Sequence, residues 1–165
     1  MKRALVALLL LGGCQRESAN ATQPAPTSLE AAAVAAGIVA DPAAGDPTGL
    51  YARDNDKLCL VPGATGYRIG ITVTYGDQYY CTGRGTATRA GEALHVALTS
   101  APGCSFDARF EGDRINLPGA LPDACQKACT ERASLAGLGV ERLSDSSDEA
   151  GGLRDRRGQP LCAGD

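Results

Sequence analysis

The clearest indication of the fold is the run Ile69-Gly70-Ile71-Thr72-Val73-Thr74-Tyr75-Gly76-Asp77-Gln78-Tyr79-Tyr80-Cys81. Its first seven residues alternate apolar side chains with glycine and threonine, and this period of two indicates a β-strand with one buried face. Gly76-Asp77 is typical of a tight turn, and a second strand-like run follows over 78–88. The pattern therefore predicts an antiparallel hairpin in the middle of the chain.

Strand-like alternation continues on both sides of this hairpin. Further short runs, separated by turns that contain Gly or Pro, occur at 57–61, 94–98, 104–110 and 114–117. Because strands joined by such short turns lie antiparallel, we predict a meander of about six strands over 50–118, as a curved sheet or small barrel. Gly83 and Gly85 indicate bends or a close backbone approach.

Helical patterns flank the meander, so the predicted fold class is α+β. Residues 28–48 are predicted as a helix and loop, because Thr27 and Glu30 form a capping box before an alanine-rich run. We expect this N-terminal helix to extend to Val39 and to pack on the domain. The main domain is predicted over 49–165.

The segment 122–165 is predicted as a pair of antiparallel helices. Asp123 is a suitable N-cap for the first helix. Ser146 and Glu149 form a capping box for the second. Such a pair would bring the end of the chain back to the start of the segment.

The chain has seven cysteines, an odd number that leaves one without a partner. With Cys14 set aside, six remain that can form three disulfides in an oxidising compartment: Cys59, Cys81, Cys104, Cys125, Cys129 and Cys162. The sequence leaves the pairing open, although the helical pair favours a bond from Cys162 to Cys125 or Cys129. Cysteines four positions apart on a helix rarely suit a mutual bond, so Cys125 and Cys129 are expected to reach different partners and clamp helix to sheet.

The first residues carry a targeting pattern. Two cations precede a short apolar run, Ala4–Leu11, and Gly12-Gly13-Cys14 follows. The run is too short to span a bilayer, which takes roughly 20 residues. The arrangement resembles the signal peptide and lipobox of bacterial lipoproteins, and the resemblance covers residues 1–14. It implies a signal peptide over 1–13 and a lipidated Cys14.

This resemblance implies a cell-envelope protein that is attached to a membrane through acyl chains on Cys14, with residues 14–27 as lipidated cysteine and flexible tether. Gln15 follows the lipidated cysteine, and by analogy with lipoprotein sorting it favours the outer membrane, facing the periplasm. The formal charge of −3 becomes −5 once Lys2 and Arg3 leave with the signal. An acidic chain without an evident basic patch is not expected to bind nucleic acid.

Candidate chemistry is sparse. His95 is the only histidine and is predicted on the outward face of its strand, where it could act as a base only beside a serine or cysteine. The spacing of Cys125 and Cys129 has one residue more than the C-x-x-C of thioredoxin-type sites. We therefore predict no catalytic residue, no metal and no cofactor.

Tyr80 and Arg84 share the outward face of one predicted strand and form a candidate recognition patch.

We predict a non-enzymatic, lipid-anchored binding module with a protein partner in the envelope. Two alternatives remain open. One is a thiol–disulfide redox protein that uses Cys125 and Cys129. The other is an inhibitor of a cell-wall-degrading enzyme, because small lipid-anchored lysozyme inhibitors are similar in architecture.

Overall fold

A closed β-barrel of eight strands accounts for most of the regular structure. The computed structural model describes residues 28–39, 41 and 44–163. Each of eight antiparallel strands pairs with the next, and the last pairs with the first, which closes the barrel. The strands are β1 (Gly49–Arg53), β2 (Asp56–Gly63), β3 (Gly66–Tyr75), β4 (Tyr79–Ala90), β5 (Ala93–Leu98), β6 (Ser105–Phe110), β7 (Arg114–Asn116) and β8 (Gly139–Ser144).

The predicted antiparallel meander is confirmed, but it has eight strands and not about six. The central hairpin is β3–β4, in which Val73 lies opposite Cys81. The two strands that the sequence analysis missed are β1 and β8, which pair with each other, for example Tyr51 with Arg142. These strands complete the barrel, so their pairing depends on residues about 90 positions apart in the chain.

Glycines in the barrel wall allow neighbouring segments to approach it closely. A Cβ at Gly85 would overlap the carbonyl oxygen of Ala97 on β5, which confirms the close approach expected at this strand. A Cβ at Gly70 would lie 2.8 Å from the Cys59 sulfur and would also meet Leu161. The second contact shows that the segment around Leu161 packs against the outside of the β2–β3 hairpin.

The helical pair predicted over 122–165 is wrong. Asp123–Ala128 forms only a 3₁₀ helix, and β8 and a short α-helix at Ser147–Gly151 (α2) follow. The chain leaves the helical path at Cys129, which has extended backbone because it bonds to β4. The predicted capping box of the second helix is confirmed by half: Ser146 Oγ accepts a hydrogen bond from the Glu149 backbone N–H at 3.3 Å, but the Ser146 N–H donates to Ser144 Oγ at 3.1 Å.

The N-terminal helix is shorter and more exposed than predicted. Helix α1 covers Leu29–Ala35, and its N-cap is Ser28 and not Thr27, because Ser28 Oγ accepts a hydrogen bond from the Ala31 N–H at 3.1 Å. No residue of α1 is buried, and Leu29 is 90 % exposed, so the expected packing on the domain is wrong. No helix in the described part of the chain is long and apolar enough to cross a membrane.

Candidate anion-binding groove

Three disulfides tie segments outside the barrel to its wall. They are Cys59–Cys162, Cys81–Cys129 and Cys104–Cys125. Cys125 and Cys129 therefore reach different partners, as predicted. The expected bond from Cys162 to one of them is wrong, because the chain after α2 runs back over β2 and β3, where Leu161 packs on Gly70. Cys14 lies outside the described residues.

Two of the bridged segments and strand β4 enclose an open groove. One part has a volume of 300 Å³ and is lined by Tyr80 and Lys127. The other part has a volume of 540 Å³ and is lined by Arg68. Arg84 and Ser100 line both parts, so the two form one continuous surface, which we call the basic groove.

The basic groove carries an excess of positive charge. Its five cationic lining residues are Arg68, Arg84, Lys127, Arg156 and Arg157. Asp155 is the one carboxylate among the described lining residues, and its Oδ1 accepts the backbone N–H groups of Arg157 and Gln159 at 2.8 Å. None of the five cations forms an ion pair with a described residue. The groove is therefore a positive surface on a chain with a formal net charge of −3.

Four of the five cations are held in place by neutral acceptors. Their side chains donate to backbone carbonyl oxygens at 2.9 to 3.4 Å, from Arg68 to Cys162, Arg84 to Pro160, Lys127 to Pro102 and Arg156 to Asp77. A carbonyl group orients a guanidinium or ammonium group but does not cancel its charge. The cations are thus positioned and remain able to pair with an anion.

The predicted patch lies inside this groove. Tyr80 and Arg84 line the same cleft from one face of β4, as predicted, and the Arg156 guanidinium lies 5.2 Å from the centroid of the Tyr80 ring. This distance is that of a cation–π contact. Sequence reasoning missed Arg156 and Lys127 as partners of the patch, because disulfide-linked segments bring them there. The run Arg154-Asp155-Arg156-Arg157, with three arginines in four residues, was the sequence signal that could have indicated a basic surface.

The edge of β4 beside the groove is already hydrogen-bonded. Strand β5 pairs with β4 only from Gly85 onward, so the first half of β4 extends beyond it. Other residues complete this edge: the Tyr80 N–H donates to Thr130 Oγ1 at 3.0 Å, and the Arg84 N–H donates to Ser100 Oγ at 2.8 Å. The backbone here is consequently held rigid at both positions.

A second cluster lies on the outward face of β5 and β6, and the sequence analysis missed it. His95 Nδ1 is 2.8 Å from Asp107 Oδ1, and His95 Nε2 is 3.2 Å from Ser105 Oγ. The strand register places His95 directly opposite Asp107, so a register prediction is the signal that reveals the cluster. The order of the three groups is that of a serine hydrolase triad.

The surroundings of this cluster differ from those of a triad. Triads act where water is excluded and where donors converge on the developing oxyanion. The side chains of His95 and Asp107 are 60 % and 72 % exposed, so water competes for each hydrogen bond. We interpret the cluster as a polar surface network. Among the residues that the structure describes, no three His, Cys, Asp or Glu side chains form a potential metal site.

This interpretation makes a prediction for reactivity. We expect a fluorophosphonate probe, which labels activated serines, to leave the folded protein unmodified, because Ser105 lacks the enclosed site that activates a nucleophile. Intact mass spectrometry after incubation with the probe measures this. Labelling that disappears in both Ser105→Ala and His95→Gln would instead identify a hydrolytic site.

Comparisons with protein-family models, with curated proteins and with solved structures found no match to this chain. The chemistry of the basic groove is therefore the basis for inferring function.

Proposed function

We propose that the protein is a non-enzymatic binding module of the bacterial cell envelope, attached to a membrane through acyl chains on Cys14, and that the basic groove is its binding surface. The observation that carries this proposal is the set of five cations around one groove without ion-pair partners among the described residues. A cleft lined by charges of one sign concentrates the field and attracts ligands of the opposite sign. Like charges held together are unfavourable until such a ligand binds.

Rigidity of the groove supports a binding role. Cys81–Cys129 fixes one wall to β4, and Cys59–Cys162 fixes the other wall to β2. A surface that is ordered before binding loses less conformational entropy when the ligand arrives. The disulfides therefore favour recognition by the groove as well as stability of the fold.

The cysteine arrangement supports the proposed anchor. The three disulfides use six of the seven cysteines, which leaves Cys14 available for lipid. A polar spacer over residues 14–27, which lie outside the described residues, is part of the proposed anchor. Helix α1, which buries no residue, adds to this spacer. Such a tether presents the barrel away from the membrane surface.

The redox alternative has less support. Cys125 is 3 % exposed and bonded to Cys104, and Cys129 is bonded to Cys81. A thiol–disulfide enzyme needs an accessible pair that can alternate between dithiol and disulfide. Two separate bonds that hold segments to the barrel wall favour a structural role.

Site-specific cross-linking in cells tests the binding role of the groove. A photoreactive phenylalanine derivative at position 80 is expected to form an adduct with an envelope component, because Tyr80 lines the groove. Position 143 is the matched control, since Leu143 is 66 % exposed on β8, four strands away around the barrel. Absence of an adduct at position 80, or equal adducts at both positions, would contradict the proposal.

The anchor is tested separately by metabolic labelling. An alkyne-bearing fatty acid is expected to label the wild-type protein and not the Cys14→Ser variant, because Cys14 is the proposed attachment site. Labelling that persists in the variant would contradict lipidation at this cysteine.

A further inference from the structure

We infer that the ligand of the basic groove is an acidic glycan, meaning a chain of sugar units that carry anionic groups. This inference rests on the proposed function of the groove as a binding surface. Four of the five cations are arginines, whose planar forks match carboxylates and phosphates in two parallel hydrogen bonds. The charge and geometry of the groove therefore favour an anionic ligand.

Neutral hydroxyl groups fill the surface between the cations. Those lining the groove belong to Thr82, Thr86, Thr99, Ser100 and Thr130. Thr99 and Ser100 donate their hydroxyl protons to the Arg84 carbonyl oxygen at 3.1 and 3.3 Å. Thr99 Oγ1 keeps both lone pairs for accepting, and Ser100 Oγ, which accepts the Arg84 N–H, keeps one. Sugar hydroxyl groups, which both donate and accept, are suited to such a surface.

The cations are distributed along the groove. Lys127, Arg156 and Arg157 line the first part, Arg68 lines the second, and Arg84 lies where the two parts meet. A ligand that contacts all of them is elongated and carries more than one negative charge. A repeating acidic sugar chain has both properties.

Peptide ligands fit the groove less well. Extended peptides bind by adding a strand to a free sheet edge, and Thr130 and Ser100 already occupy the edge of β4 here. Arginine clusters also bind acidic peptides without strand addition, but tight peptide binding usually adds pockets that bury anchoring side chains. The groove offers mainly guanidinium and hydroxyl groups, so an acidic peptide would gain charge contacts alone.

Nucleic acids also fit less well. Proteins that bind single strands stack bases on exposed aromatic rings. Tyr80 is the one aromatic side chain among the described lining residues, and the Arg156 guanidinium lies over its ring. A polymer of flexible sugars needs no such platform.

Binding to a defined acidic glycan tests the inference. We use the full mature lipoprotein in detergent micelles and fluorescent oligogalacturonate as the probe, with neutral dextran, polyglutamate and a single-stranded oligonucleotide as competitors of other classes. Oligogalacturonate is expected to bind, and its affinity is expected to fall as NaCl is raised, because salt screens exposed charges. Of the competitors, neutral dextran is expected not to displace it, and polyglutamate and the oligonucleotide are expected to displace it only at higher concentrations.

Charge-matched variants locate the binding surface. Arg84→Gln and Arg157→Gln are each expected to weaken oligogalacturonate binding about tenfold or more, in line with the loss of one charge-assisted contact. Arg114→Gln removes the same charge from β7, outside the groove, and is expected to leave the affinity within about twofold. Thermal unfolding of each variant checks that the fold is intact.

Several outcomes would overturn the inference. Binding of polyglutamate or the oligonucleotide as tight as that of oligogalacturonate, or tighter, would assign another ligand class. Displacement by neutral dextran would show that charge does not select the ligand. Equal weakening in Arg114→Gln would place the site elsewhere. If oligogalacturonate does not bind while position 80 still cross-links to an envelope protein, the glycan inference fails and the proposed binding function stands.

Discussion

Replacing Cys59 and Cys162 together by alanine is expected to lower the free energy of unfolding more than replacing either of the other cysteine pairs. This bond joins residues 103 positions apart, whereas Cys81–Cys129 and Cys104–Cys125 span 48 and 21. A cross-link removes more chain entropy from the unfolded state when the loop it closes is longer. The expected losses are about 4.7, 4.1 and 3.3 kcal/mol for the three double variants, in that order.

Urea unfolding of the three double variants measures this order, with the oxidised wild-type protein as the reference. Cys104/Cys125 is the matched control, because its replacement removes a bond of the same kind with the shortest loop. A loss for Cys59/Cys162 no greater than that of the control would show that chain entropy does not govern the ranking. Alkylation after mild reduction, read by mass spectrometry, tests the redox alternative, which requires one labile pair that includes Cys125 or Cys129.

Strands whose pattern is local could be predicted from the sequence. The hairpin β3–β4 alternates on both sides of a turn, so its strand state follows from neighbouring residues, although the turn holds three residues and not the predicted two, since Tyr75 pairs with Tyr79. Strand β8 has no such pattern: Val140 is buried, and the next large apolar residue, Leu143, is 66 % exposed and three positions on, a spacing that also suits a helix. It is a strand because it pairs with β1 and β7, which are far away in the chain.

The candidate site could be predicted only in part, for a similar reason. Tyr80 and Arg84 lie four positions apart on one strand, so the alternation of side chains places them on the same face. Arg156 and Lys127 join them through the disulfide-linked segments, and the pairing of six cysteines cannot be derived from their spacing. A basic groove can thus lie on a chain whose net charge gives no indication of it.

Arg142 closes one end of the barrel. Its guanidinium lies 4.9 Å from the centroid of the Tyr51 ring and 5.7 Å from that of Phe110, and it donates to the carbonyl oxygens of Asp46, Thr48 and Gly112. These contacts join β8 to the segment before β1 and to the β6–β7 turn. Burial raises the pKa of the Tyr51 phenol, so the ring beneath the cation stays neutral to a higher pH than a free tyrosine would.

Arg142→Ala is expected to lower the free energy of unfolding by about 3 kcal/mol, because three carbonyl groups lose a charged donor and two rings lose a cation–π contact. Arg142→Lys keeps the charge but not the planar fork, so we expect it to recover less than half of the loss. Arg114→Ala is the matched control: among the described residues Arg114 forms an ion pair only with the exposed Glu141 on the adjacent strand, and such a pair contributes at most about 1 kcal/mol. Urea unfolding compares the three variants. An effect of Arg142→Ala no larger than that of the control would mean that water replaces the lost donor at this end of the barrel.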